Sequence, residues 1–229
     1  MTAQPPAVQP QPAPSAGQMT LGPFVSKAWA LVTADLKLFI VGFLIVFGIV
    51  LLSAITVVGP IIIGGPLMFG FLRIVQKRYK GEPAEIGDVF KGFQDFSKGL
   101  VTFLLLFALG LAVAIVMLIV YLILYLTCVG IVLIPIVAIA VSLIIGAATF
   151  FVMDIAALSD VAPMDALKRS IKFCFANLWP MVLLSLVAGL IGGAGSLACG
   201  VGWFFSVPLS LAIGVIAYNE YYLPNAPAA

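Results

Sequence analysis

The side chains able to do chemistry are nine carboxylates, eleven lysines and arginines and three cysteines, and no histidine stands among them. That absence removes the commonest general base and metal ligand, and any Ser-His-Asp or Cys-His nucleophile. Cys128, Cys174 and Cys199 have neither metal-ligand nor disulfide spacing and read as structural. The carboxylates Asp35, Glu82, Glu85, Asp88, Asp95, Asp154, Asp160, Asp165 and Glu220 fall at the ends of apolar runs or between them, mixed with basic residues. Glu82 and Glu85, beside Lys80, read as solvated surface. Asp154 is expected to cap the fourth apolar segment and to pair with Arg73, Arg78 or a lysine; as a catalytic acid it has no visible partner. No glycine-rich phosphate loop with a lysine is present, and no metal set assembles. The expectation is a chain with no catalytic, metal-binding or cofactor-binding residues, and so not an enzyme.

One pattern does imply a ligand. Over 163–178, Met164, Leu167, Ile171, Phe175 and Leu178 recur at helical spacing, and Asp165, Lys168, Arg169 and Lys172 take the other side. Pro163 suits a first helical position and Asp165 the positive end of the helix dipole. Over 86–98, Ile86, Val89, Phe90, Phe93 and Phe96 oppose Asp88, Lys91, Asp95 and Lys98. A weaker copy from Phe24 to Leu36 carries Lys27 and Trp29. Helices of this kind lie in a membrane interface, apolar face to the acyl chains and basic face to the headgroups. Lys27, Lys91, Lys98, Lys168, Arg169 and Lys172 are therefore the candidate headgroup contacts, with anionic lipids as the expected partners and a membrane protein as a further one. The net charge of +2 is too small to suggest nucleic acid.

The elements that must position these cations are membrane helices. Of the 229 residues, 63% are apolar and 9% charged, with mean hydropathy +1.25, where a soluble domain would be about a quarter charged. Six apolar segments stand out, at 38–57, 61–77, 100–127, 130–153, 179–198 and 202–221. All but the second are long enough to cross a core of about 30 Å, and Arg73 and Lys77 can snorkel at the second one's end. Every Lys and Arg lies before the first segment, at the end of the second or between pairs, never in the turns within pairs. By the positive-inside rule both termini are expected to be cytoplasmic, in the inner (plasma) membrane, with Val58-Gly59, Val129-Gly130 and Val201-Gly202 as uncharged outer turns.

The expected fold is thus all-α and integral to the membrane: six transmembrane helices as three hairpins, each preceded by an in-plane cytoplasmic amphipathic helix. The domain spans 21–223, with a threefold repeat over 24–80, 86–153 and 163–222 that aligns Leu36, Leu100 and Leu178. Residues 1–20, rich in Pro, Ala and Gln and lacking a basic n-region, read as a disordered cytoplasmic tail, and 224–229 as a short C-terminal tail.

Small residues four apart, such as Ala188, Gly192 and Ser196, or Ser210 and Gly214, are expected where helices approach closely. Gly64, Gly65 and Pro66 form the candidate helix break. No ionisable residue occupies the central third of any segment; Arg73 and Asp154 come nearest, and both are expected to reach an interface.

The run Gly64-Gly65-Pro66-Leu67-Met68-Phe69-Gly70, then Lys80-Gly81-Glu82 and Asp88-Val89-Phe90-Lys91-Gly92-Phe93, is followed later by Ala166-Leu167-Lys168-Arg169-Ser170 and Asn177-Leu178-Trp179. Together these motifs resemble uncharacterised bacterial multi-pass membrane families over about residues 24–222, distantly similar to the membrane domain attached to some glycerophosphoryl diester phosphodiesterases. The resemblance implies a six-helix membrane domain. Phosphodiesterase activity is not carried over, since the chain shows neither a soluble catalytic domain nor a His or metal set. The expected function is non-enzymatic, organising lipid or a partner protein at the inner membrane. The alternative is a transporter or channel for a small solute without a buried ionisable coupling residue.

Overall fold

A computed structural model describes residues 21–56, 58–125, 130–198 and 200–226. The expected tail 1–20, Val129 of the second turn, Cys128, Cys199 and residues 227–229 lie outside them. The described chain is helical: α1 Leu21–Ala34, α2 Leu36–Ser53, α3 Gly59–Tyr79, a 3-10 segment Ile86–Asp95, α4 Phe96–Tyr125, α5 Gly130–Thr149, α6 Val152–Leu158, α7 Pro163–Ala176, α8 Leu178–Ala194 and α9 Trp203–Ala217, then a π-turn Tyr218–Tyr222.

Five helical stretches are long and apolar enough to cross a membrane: Leu36–Ser53, Gly59–Tyr79, Ile86–Tyr125, Leu133–Leu158 and Leu178–Leu197. The second segment is longer than its sequence suggested, because α3 begins at Gly59 with Pro60 preset in the first turn. Helix α9 is the short one. Its 15 regular residues rise about 22 Å before the π-turn takes over.

The helices close into a ring in the order α2, α3, α4, α5, α8, α9 and back to α2. The contacts repeat three times: the second helix of each hairpin packs on the first helix of the next, α3 on α4, α5 on α8 and α9 on α2. The leading elements follow the same rule one unit back. Helix α1 packs on α9, the 3-10 segment on α3, and α7 on α5 and α6. Two of the three leading helices also join their hairpins alike, through one non-helical residue with a short polar side chain: Asp35 at φ −144°, ψ 56° and Asn177 at φ −132°, ψ 44°. The third does not, since α4 runs from Phe96 straight through Gly99 and Leu100.

The turn glycines open the second helices. Gly59 and Gly130 are the first residues of α3 and α5, and Gly202 precedes α9. A Cβ on Gly59 would stand 2.3 Å from the Ser53 carbonyl oxygen, and on Gly130 1.6 Å from that of Leu124.

The expected break at Gly64-Gly65-Pro66 is not one, because α3 runs through it. Those residues instead let two elements cross α3 backbone to backbone. A Cβ on Gly65 would lie 2.2 Å from the Gly99 carbonyl oxygen of α4, and on Gly70 1.8 Å from that of Val89. From the other side, a Cβ on Gly92 would meet the Pro66 carbonyl oxygen at 1.9 Å.

The stretch 86–95 is wound as 3-10 rather than α, which divides its expected single apolar face. Positions three apart eclipse in a 3-10 helix. Val89 and Gly92 are buried against α3, while Phe90, Phe93 and Phe96 form a second ridge, 49%, 37% and 37% exposed. The first leading helix also departs from expectation. Its apolar stripe, Phe24, Ala28 and Val32, is buried in the protein rather than left to lipid.

Between α8 and α9 the small-residue line works as a close approach. Ser210 Oγ donates to the Ala188 carbonyl at 2.8 Å and Ser206 Oγ to that of Gly192 at 2.9 Å. Gly189 and Gly193, on the neighbouring line, face open space. An edge-on aromatic cluster of Phe43, Phe47, Phe71 and Phe204 joins α2, α3 and α9. Outside it, α4 buries only Gly99 and Thr102 of its 30 residues.

Candidate functional site

The polar side chains gather at one end of the ring, opposite the apolar turns, in an outer basic face and an inner layer. The outer face is on α7, a helix with three sides. Ala166, Ser170, Phe173 and Cys174 are buried, and the Ser170 hydroxyl donates to the Ala148 carbonyl at 2.7 Å. Met164 and Phe175 are exposed large apolar residues, continued by Leu178 at the start of α8, and Lys168 and Lys172 are exposed beside them. Lys168 lies 3.8 Å from Asp165. Lys172 has no partner among the described residues. The first turn of α4 and Pro163 enclose a cleft of about 540 Å³ lined by Gln94, Asp95, Phe96, Ser97, Lys98 and Val101.

The six candidate headgroup cations divide on this geometry. Lys27 is not free: it donates to both Glu220 oxygens at 2.9 and 2.7 Å, and the two side chains are 15% and 9% exposed. Lys98 donates to the Ser159 carbonyl, and Lys91, though exposed, pairs with Asp88. Arg169 is half-buried and interacts electrostatically with Tyr218 and Tyr222. Lys168 and Lys172 remain turned outward.

The inner layer ties the three units together. The π-turn fans its side chains toward different helices: Glu220 accepts from Lys27 and from the Tyr79 hydroxyl at 3.0 Å, and Asn219 exchanges two amide hydrogen bonds with Gln76 at 2.9 and 2.6 Å. Tyr222 meets Phe151 and Phe173 with ring centroids 5.3 and 4.9 Å apart. π-turns inside helices recur at functional sites. Arg78 donates to Asp35 at 2.6 Å, and Lys77 to Asp88 at 2.8 Å. Arg73 joins three elements, donating to Asp95, to the Lys91 carbonyl at 3.2 Å and to the Ala157 carbonyl at 3.3 Å.

Asp154 corrects its expected place. It does not pair with Arg73, Arg78 or a lysine among the described residues, and it is buried within the protein. It is 5% exposed within α6, and its Oδ1 has no hydrogen-bond partner among the described residues. Gly214 of α9 gives it room: a Cβ there would stand 3.4 Å from Oδ2 and 3.9 Å from Oδ1. Gln76, Tyr79, Tyr218 and Asn219 were not singled out in the sequence. Polar residues in a run as apolar as Val207 to Ala217 followed by Tyr218-Asn219-Glu220 were the available signal.

Cys174, on α7, is fully buried, and burial pushes its thiol above the usual range. Thiolate is the reactive form. With Cys128 and Cys199 replaced by alanine, the native protein is expected to take up no maleimide until denatured; rapid labelling of the native chain would contradict the buried face of α7.

Among known proteins, the family model described as "Domain of unknown function (DUF7847)" matches residues 89–227, well over half the chain. No curated protein and no solved structure matches it.

Proposed function

The chain belongs to the DUF7847 family, and from its own residues we propose a non-enzymatic membrane protein that gathers anionic lipid around α7. In this reading six helices span the inner membrane, both termini and the polar end are cytoplasmic, and α7 lies in the interface. The observation that supports it is the three-sided α7: one side holds the ring, one presents Met164 and Phe175, and the third presents Lys168 and Lys172. An exposed apolar side beside exposed cations suits acyl chains below and phosphates above. The cleft between Lys98 and Pro163 adds room for a headgroup next to it.

The test replaces both outward lysines, Lys168→Gln with Lys172→Gln, and measures anionic against zwitterionic lipid bound to the purified protein in nanodiscs. At about 1 kcal/mol per basic residue, the pair is expected to lower anionic-lipid enrichment roughly thirtyfold. High salt should weaken the wild type in the same direction. Unchanged enrichment would remove α7 from lipid binding.

A second reading, transport of a small solute, is favoured by one observation, the buried Asp154 beside the interruption between α5 and α6. In that reading the carrier would have a buried ionisable residue after all, and flux into vesicles of the reconstituted protein tests it.

A further inference from the structure

Asp154 is buried with its Oδ1 unpartnered, and no cation from the elements packed on α6 binds it among the described residues. Helix α6 packs on α3, α4 and α7, and Gly214 brings α9 against its carboxyl. From α3, Arg73 is committed to Asp95 and to the carbonyls of Lys91 and Ala157. From α4, Lys98 is committed to the Ser159 carbonyl. From α7, Arg169 faces Tyr218 and Tyr222 and comes within ion-pair distance of no carboxylate among the described residues. From the end of α9, Tyr218 is the electrostatic neighbour of Asp154.

A buried carboxylate without a counter-charge costs several kcal/mol, so the chain leaves a positive charge to be supplied from outside. The backbone close to it in sequence is interrupted. Helix α5 stops at Thr149 and α6 restarts at Val152, with the Ala148 carbonyl taken by Ser170 from α7. Interruptions of this kind supply the carbonyl oxygens that hold small cations in broken membrane helices. An ionisable residue in such a place marks a site.

We propose that Asp154 is an exchangeable monovalent-cation site between α6 and α9, neutralised by a proton or an alkali cation taken from solution. The site stands apart from the lipid-binding reading, because α7 meets lipid through Lys168 and Lys172 and neither faces Asp154.

The full chain in nanodiscs is treated with a membrane-permeant carbodiimide, which modifies accessible buried carboxyl groups, and Asp154 is followed by peptide mapping. The expected result is labelling at Asp154 that an exchanging cation controls. If sodium or potassium occupies the site, adding that ion at ten times its Kd slows labelling about tenfold at fixed pH, and radioactive sodium or potassium binds saturably. If the proton occupies it, labelling falls only as the pH is raised and alkali ions do not protect. Labelling insensitive to both pH and alkali ions, or no labelling at any pH together with no ion binding, overturns the proposal. Asp154→Asn should lose the label and Asp154→Glu keep it; if the Asn variant does not fold, the wild-type and Glu data still decide. Lys168→Gln with Lys172→Gln should leave all of these readouts unchanged, which separates this site from the lipid surface.

Discussion

Gly65→Ala is expected to destabilise the ring while Gly64→Ala, one residue away, leaves it nearly unchanged. The methyl group added at position 65 would fall 2.2 Å from the Gly99 carbonyl oxygen and 2.7 Å from its carbon. These are backbone atoms of α4, so no side chain can turn aside and the two helices must separate. Overpacking of this kind costs about 1–3 kcal/mol, with the upper end expected where backbone is the obstacle. At Gly64 the same methyl meets only the Phe103 ring at 3.6 Å, an ordinary contact. The 3-10 segment offers a matching pair: Gly92→Ala drives into Pro66 and Gly70, whereas a Cβ at Gly87 has nothing within 4 Å. Thermal unfolding in mild detergent reads the difference, at about 2–4 °C in Tm per kcal/mol for a protein of this size. Equal effects at positions 64 and 65 would mean that α4 does not cross α3 at Gly99.

The second large effect is expected at Glu220. Glu220→Leu strands the Lys27 ammonium, 15% exposed, without a counter-ion and takes the acceptor from Tyr79. Removing one member of a buried pair costs about 3–5 kcal/mol, because the other charge remains in place. Lys27→Met combined with Glu220→Leu should recover most of the loss, since a pair replaced by apolar groups need not be less stable. Tyr79→Phe alone should cost only about 1 kcal/mol, the worth of one hydrogen bond. The measurement is Tm and monodispersity of the wild type and the three variants. A double variant no better than Glu220→Leu would show that the pair is not what closes α1 onto α9.

How much of this was legible follows from the range of each interaction. The apolar runs, the turn glycines and the exposed side of α7 are local patterns, and Met164, Phe175, Lys168 and Lys172 are where helical spacing put them. The 3-10 winding was not legible, because Ile86, Val89, Phe90, Phe93 and Phe96 satisfy either period over so short a stretch. Gly64-Gly65-Pro66 carried the right signal for the wrong reason. Its glycines mark a close approach whose other half, Gly92 and Gly99, lies in the next unit. Lys27 and Glu220 stand 193 residues apart, and only closure of the ring brings them together. Asp154 failed in the same way: the sequence pairs it with Arg73, Arg78 or a lysine, but in the fold Arg73 goes to Asp95, Arg78 to Asp35 and Lys98 to the Ser159 carbonyl.

The length of α4 has a mechanical consequence for whatever bilayer holds the ring. Counted from Leu100 to Tyr125, its apolar part rises about 39 Å, whereas the 18 residues of α2 rise about 27 Å. A hydrocarbon core of about 30 Å fits α2, but it fits α4 only at a tilt of roughly 40°, the steep limit for such helices, or by thickening locally. The spanning stretches are therefore unequal in length, and in a bilayer the mismatch would fall on the side of α4 and of the equally long stretch Leu133–Leu158 rather than on that of α2.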